Sequence, residues 1–190
     1  MLEVTNRWTG FLRRIRGRSN SDHAEPAIDP LTGLPTRMAV INQLSRALSR
    51  AHHKAAVAMV IIEFSSMLEP VEATDEKLIV QLAKLLRSWI APEHVVGHLR
   101  DREFAIILNG LSMQEVEHIA DQVVDKVRTD SALQDRRGQI ATIVGVGYSW
   151  HADCPASQLM SLADIALHYA RATGRSWHAI VDKNPAGRVA

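Results

Sequence analysis

The segment VVGHLRDREFAIILN (95–109) constrains the fold of this chain more than any other. Two apolar runs flank four consecutive charged residues, and so short a connection can join only antiparallel strands, because a parallel crossover needs a dozen residues or more. The second run has five apolar residues in a row, as a strand buried on both faces of a sheet has. The segment therefore predicts a β-hairpin whose second strand lies inside a sheet.

Apolar periodicity on either side of this hairpin predicts alternating helices and strands. Their order, α-β-α-β-β-α-β-α-β, is typical of an α/β protein in the broad sense. More specifically, we predict an α+β sandwich of two layers, with a mixed central sheet flanked by helices. We expect Met38 on the buried face of the first helix and Tyr169 on that of the last, and Ser112 as the cap of the third. The predicted elements are a helix from Pro35-Thr36, strands at 55–64, 95–99, 103–109, 139–149 and 177–181, and helices at 75–90, after Ser112 and at 156–173.

Composition excludes several classes of protein. No apolar stretch is long enough to span a bilayer, and a net charge of +1 over 190 residues argues against general nucleic-acid binding. Cys154 is the only cysteine, so no intrachain disulfide forms, and a reducing compartment is expected. The N-terminus lacks the apolar stretch of a secretory signal. We predict a cytoplasmic protein.

Residues 1–28 differ from the rest of the chain. They place apolar side chains at helical spacing among arginines, namely Trp8, Phe11, Leu12 and Ile15 among Arg13, Arg14, Arg16 and Arg18. Such a segment can bind an anionic membrane at the inner face, bind an acidic partner, or pack on its own domain. We favour packing on the domain or on a protein partner. The predicted organisation is a basic segment with a linker (1–28), one domain (29–184) and a short tail (185–190).

Three separated motifs resemble one family. DPLTGLPTR (29–37), the hairpin VVGHLRDREFAIIL and LADIALHYARATGRSW (162–177) are similar, in order and spacing, to motifs of the GGDEF, or diguanylate cyclase, domain. The resemblance covers residues 29–182 and implies a nucleotidyl-cyclase-like fold. It also implies a family chemistry in which two subunits meet and join two GTP molecules into cyclic di-GMP, with divalent metals on the triphosphates.

The signature of that family is changed here to RDREF. The resemblance places Arg100 and Asp101 where two glycines let the backbone approach the nucleotide, and Arg102 where a carboxylate binds metal. A guanidinium stays protonated and offers a metal no lone pair. Glu103 and Phe104 match the last two residues of the family's signature. We therefore predict no catalytic residues, no bound metal and no cofactor.

The remaining parts of the resembling site are also altered. Glu63 matches a metal-binding aspartate and is the only plausible remnant of a metal site. The segment FSSMLEPVEATDEK (64–77) is shorter than its counterpart and lacks the Asn and Gly-His that the family has there. Loss of polar groups that read a base removes recognition as well as catalysis.

Ligand binding is predicted residue by residue from the same resemblance. Ala91 and His94 stand where the family's R-x-x-D inhibitory pair would lie, so cyclic di-GMP binding is not expected. Arg171 and Arg175 match residues that hold the triphosphate; they either retain weak GTP binding or complement the helix dipole. His151, Asp153 and Cys154 lie close in sequence, but no second ligand cluster accompanies them, and zinc is not expected.

The sequence therefore predicts a catalytically inactive GGDEF-like domain that binds a protein in bacterial cyclic di-GMP-related signalling. A weak GTP sensor and a membrane-surface adaptor acting through residues 6–18 remain as alternatives. A homodimer is compatible with the family's tendency to pair.

Overall fold

The computed structural model describes residues 27–51, 55–66, 76–136, 140–150 and 153–182. The predictions for Trp8, Phe11, Arg13, Arg14 and Ile15, for His151 and for most of 64–77 lie outside these residues. The elements are α1 (Arg37–Arg50), β1 (Val57–Ser66), α2 (Glu76–Trp89), β2 (Val95–Arg100), β3 (Glu103–Asn109), α3 (Met113–Thr129), a 3-10 helix (Ser131–Arg136), β4 (Ile140–Ser149), α4 (Ala156–Thr173) and β5 (Trp177–Val181).

The five described strands form one mixed sheet in the order β2-β3-β1-β4-β5. Every pairing is antiparallel except that of β4 with β5. The predicted order of elements and the mixed sheet are confirmed. In the register of β1 with β3, Glu63 lies opposite Glu103. The end of β1, the β2–β3 turn and the start of β4 therefore meet where the strands end, on one side of the sheet.

Helices cover both faces of the sheet, so the layers number three, and the predicted two-layer sandwich is wrong. Ala58, Val60 and Ile62 of β1 pack with α2 and α3, whereas Met59 and Ile61 pack with α1 and α4. The reason lies in the central strands, whose side chains are apolar on both faces and need a cover on each. None of the described helices has the length and apolar character needed to span a membrane.

Two residues expected in the core are exposed. Met38 is 48% exposed, because α1 turns Val40, rather than Met38, towards the sheet. Val40 packs on Gly97 of β2. A Cβ atom added to Gly97 would lie 2.2 Å from the Cγ2 atom of Val40. Tyr169 of α4 is 47% exposed and stacks on His178 of the edge strand β5, with ring centroids 4.3 Å apart.

The predicted cap of α3 is confirmed. The Ser112 hydroxyl accepts a hydrogen bond from the Glu115 amide at 3.3 Å, and the Glu115 carboxylate accepts one from the Ser112 amide at 2.7 Å. The amide and hydroxyl of Ser112 hold the pKa of Glu115 below its ordinary value. This reciprocal capping box fixes where α3 begins.

Candidate functional site

The β2–β3 turn has a backbone conformation that suits glycine. Asp101 has φ +40° and is the only non-glycine residue with positive φ among those described. Aspartate tolerates this left-handed region better than most residues, yet at an energetic cost that glycine does not have. The Phe64 amide of β1 donates to the Arg102 carbonyl at 3.1 Å, which ties the turn to the neighbouring strand. The turn thus has a backbone shape that a non-glycine residue at position 101 disfavours.

Arg100 and Glu103 form a two-pronged ion pair across the turn. The Arg100 Nε atom donates to Glu103 Oε2 at 2.8 Å, and Nη2 donates to Oε1 at 3.0 Å. This pairing raises the pKa of Arg100. The Arg100 side chain is 62% exposed, whereas that of Glu103 is 15% exposed. Both carboxylate oxygens of Glu103 therefore accept hydrogen bonds from a guanidinium.

A second ion pair links Arg171 with Glu63, two of the residues predicted from the sequence to bind a ligand. Arg171, in the last turn of α4, donates to the Glu63 carboxylate near the end of β1. The structure thus brings together a residue predicted to hold phosphate and the one predicted remnant of a metal site. Each neutralises the charge that the other would offer to a ligand.

Two further charged residues, Asp164 and Arg37, adjoin the turn and were not singled out from the sequence. Burial raises the pKa of Asp164, and the positive charges of Arg37 and Arg100 act in the opposite direction. Glu103 adds to the rise. The sequence could have indicated both residues, because Asp164 lies in ADIAL and Arg37 lies in DPLTGLPTR, and both segments belong to motifs that carry the family resemblance. Charges of both signs therefore surround the turn.

His98 connects the turn to the loop that precedes α1. Its Nδ1 atom lies 2.9 Å from Asp29 Oδ2, and its Nε2 atom lies 3.0 Å from the Asp101 carbonyl oxygen. Each ring nitrogen of His98 thus faces an oxygen atom of a different segment. The ring also packs on Phe104, with centroids 5.0 Å apart. Loop, turn and core are thereby held as one unit.

Arg175 takes no part in these two pairs. With Arg128 and Arg171 it lines a cavity of about 230 Å³ between the ends of α3 and α4. The Thr142 hydroxyl at this cavity is buried and has no hydrogen-bond partner. Three arginines and a hydroxyl suit a small anion better than a metal. Within the described ranges, no three His, Cys, Asp or Glu residues cluster closely enough to hold a metal ion.

The other predicted positions have structural surroundings. His94 is buried and its Nδ1 atom lies 3.5 Å from the Asn109 amide, whereas Ala91 is exposed. Cys154 is buried, and burial raises the pKa of its thiol to about 11. A thiol so rarely ionised is a poor metal ligand.

Comparison with known proteins matches residues 26–177 to the family described as "Diguanylate cyclase, GGDEF domain". Diguanylate cyclase TpbB of Pseudomonas aeruginosa is 29% identical over 165 residues, which are 82% of this chain and 38% of TpbB. The chain thus spans about two fifths of the length of this relative.

Solved structures share the fold. The GGDEF domain of DgcB from Caulobacter crescentus, in complex with c-di-GMP, superposes with a TM-score of 0.69 at 18% identity, covering 85% of this chain and 98% of that one. Diguanylate cyclase SiaD of P. aeruginosa, in complex with its activator SiaC, gives 0.67 at 23% identity, covering 94% of this chain and 69% of that one.

The contacts of Asp29 predict a pH-dependent contribution to stability. Burial acts to raise the pKa of Asp29, but hydrogen bonds from Thr32 and His98 outweigh it, so the pKa lies below its ordinary value of 3.8. A carboxylate of this kind stabilises the fold above its unfolded pKa, and the contribution is lost as pH falls through the folded pKa. We expect Asp29→Asn to lower the free energy of unfolding near neutral pH by about 2 kcal/mol.

Urea unfolding between pH 7 and pH 3 measures this contribution. The difference between the wild-type chain and Asp29→Asn should shrink below about pH 4. Asp153→Asn, at an exposed aspartate, is the matched control and should show little difference at any pH. A difference for Asp29→Asn that stays constant across this range would contradict the assignment.

Proposed function

The chain belongs to the GGDEF family of diguanylate cyclase domains, and from that premise we propose that it is a catalytically inactive member that acts by binding a protein. The domain would extend over residues 29–184, with a basic segment before it and a short tail after it. Its setting would be cytoplasmic signalling related to cyclic di-GMP.

The ion pair between Arg100 and Glu103 is the observation that carries this proposal. Phosphoryl transfer needs metal ions and a positioned nucleophile, and the signature turn would have to supply carboxylate oxygens for them. Here both oxygens of Glu103 are bonded to Arg100. A metal would have to displace this bidentate, charge-assisted pair before it could bind the carboxylate.

Arg102 adds a second obstacle. Two unit charges about 4 Å apart repel by roughly 4 kcal/mol at an effective dielectric of 20, and a divalent ion doubles this repulsion. The Glu63 carboxylate, which could offset such a charge, is already paired with Arg171. Catalysis would therefore need changes at several positions together.

The fold supports a role in protein binding. SiaD, which shares this fold, was solved in complex with its activator SiaC, and we propose protein binding for this chain by analogy. A sheet buried on both faces offers a rigid surface whether or not the nucleotide chemistry is kept. The comparisons name no partner for this chain.

We predict that the purified chain makes no cyclic di-GMP from GTP with Mg²⁺ or Mn²⁺. The triple change R100G/D101G/R102D should also stay inactive, because Glu63 remains paired with Arg171 and the sequence of 64–77 departs from the family. Product analysis by chromatography is the measurement, with an active diguanylate cyclase as positive control. Wild-type product that disappears on Glu103→Ala would refute the proposal.

A weak GTP sensor is the second candidate, favoured by the cavity at Arg128 and Arg175. In calorimetric titrations we expect no micromolar binding of cyclic di-GMP, since Ala91 and His94 do not form an inhibitory pair. Any GTP binding should be weak and lost on Arg175→Ala, whereas Arg46→Ala, at an exposed arginine of α1, should not affect it. Tight cyclic di-GMP binding would overturn this expectation.

Protein binding without nucleotide separates the two candidates. A partner captured from the native cytoplasm by the full chain should be purified and its affinity measured with and without GTP. We expect the same affinity in both conditions and for Arg175→Ala, because the proposed role does not use the anion cavity. An affinity that requires GTP would replace the proposal by the sensor hypothesis.

A further inference from the structure

We propose that the groove between α3 and the outer edge of β5 binds the chain's own basic segment, residues 6–18. This inference concerns a different surface from the signature turn and does not depend on the proposed function. The β2–β3 turn gives no reason for the charges that line this groove, and a basic segment bound there would account for them.

The groove has a volume of about 560 Å³ and runs between one flank of α3 and β5. A second hollow of about 640 Å³ continues it towards the start of α3, and the two share Glu117 and Asp121. Strand β5 is the last strand of the sheet, so its outer backbone edge has no neighbouring strand among the described residues. Such an edge is suited to binding another segment of chain.

The α3 flank of the groove is acidic. Glu117, Asp121 and Asp125 are spaced four residues apart and therefore lie on one side of the helix. Asp121 accepts a hydrogen bond from the Trp177 indole at 2.6 Å, which fixes its carboxylate at the groove. Arg128 and Arg175 lie at the other end of the same groove. The negative charge is thus concentrated along the part nearer the start of α3.

Residues 6–18 carry the complementary charge. This segment contains five arginines and no acidic residue: Arg7, Arg13, Arg14, Arg16 and Arg18. Its apolar side chains Trp8 and Phe11 match the apolar part of the groove, where Val124, Trp177 and Ala179 lie. Arginine with tryptophan and phenylalanine is the combination that binding surfaces favour.

The other described helices do not offer a matching surface. Helix α1, which follows the N-terminal segment most closely, has three arginines and no acid. Helix α2 has Glu76 alone against Lys77, Lys84 and Arg87. In α4 the one acid, Asp164, is turned towards the signature turn. Charge therefore selects α3 among the described helices.

The chain is long enough to reach the groove. Ala27 is fixed beside the start of α1, where its carbonyl accepts a hydrogen bond from Thr36. Helices α1 and α3 cover opposite faces of the sheet, so the linker must pass round the ends of the strands as well as cross the width of the sheet, which is about 19 Å for four spacings of roughly 4.8 Å. The nine residues 19–27 span up to about 30 Å when extended, at roughly 3.3 Å for each residue.

Paramagnetic NMR on the full chain tests the proposal. A nitroxide is attached at Ser19→Cys in a Cys154→Ala background, and amide peak intensities are compared before and after the label is reduced. We expect selective loss of intensity at residues 115–125 and 177–179. The loss should disappear in Glu117→Lys/Asp125→Lys, whereas the matched exposed pair Glu76→Lys/Glu93→Lys should keep it. Raising the salt concentration should weaken it, since these charges are exposed.

Three results would overturn the proposal. The first is intensity loss at α1 or spread evenly over the domain, and the second is loss that persists in Glu117→Lys/Asp125→Lys. The third is loss found only when labelled and ¹⁵N-enriched chains are mixed, which would place the segment on another copy. Unchanged amide shifts away from the substitutions establish that each variant is folded.

Discussion

Burial of β1 and β3 on both faces is the constraint on which the rest of the structure depends. Because their apolar side chains alternate between two cores, helices must cover both sides of the sheet. The antiparallel register then brings Glu63 opposite Glu103, and the turn, the end of β1 and the end of α4 meet where the strands end. The position of the site follows from the core and not from its own charges.

At that end of the strands, four charged side chains are paired with one another within the chain. Arg100 occupies the oxygens of Glu103, and Arg171 occupies Glu63. Each pair is partly exposed and contributes little to stability. Their effect is on binding, because an incoming metal or phosphate must compete with a partner that is already in place.

The order of elements and the Ser112 cap could be predicted because they depend on local periodicity and on residues three or four apart. The exposure of Met38 could not, since it depends on how α1 rotates to place Val40 on Gly97, a contact between distant residues. The family motifs located the altered turn. They could not show that Arg171 and Glu63 pair with one another, or that His98 bridges Asp29 and the Asp101 carbonyl, because these contacts arise only when separate elements converge.

The paired charges at the turn have an evolutionary consequence. Replacing Arg100 alone by glycine would leave Glu103 near Asp164 without its ion-pair partner. Replacing Arg171 alone would leave Glu63 without its own partner. Each single substitution towards the family signature thus leaves one carboxylate without its present partner. The proposed loss of activity would therefore be reversed only by several substitutions made together.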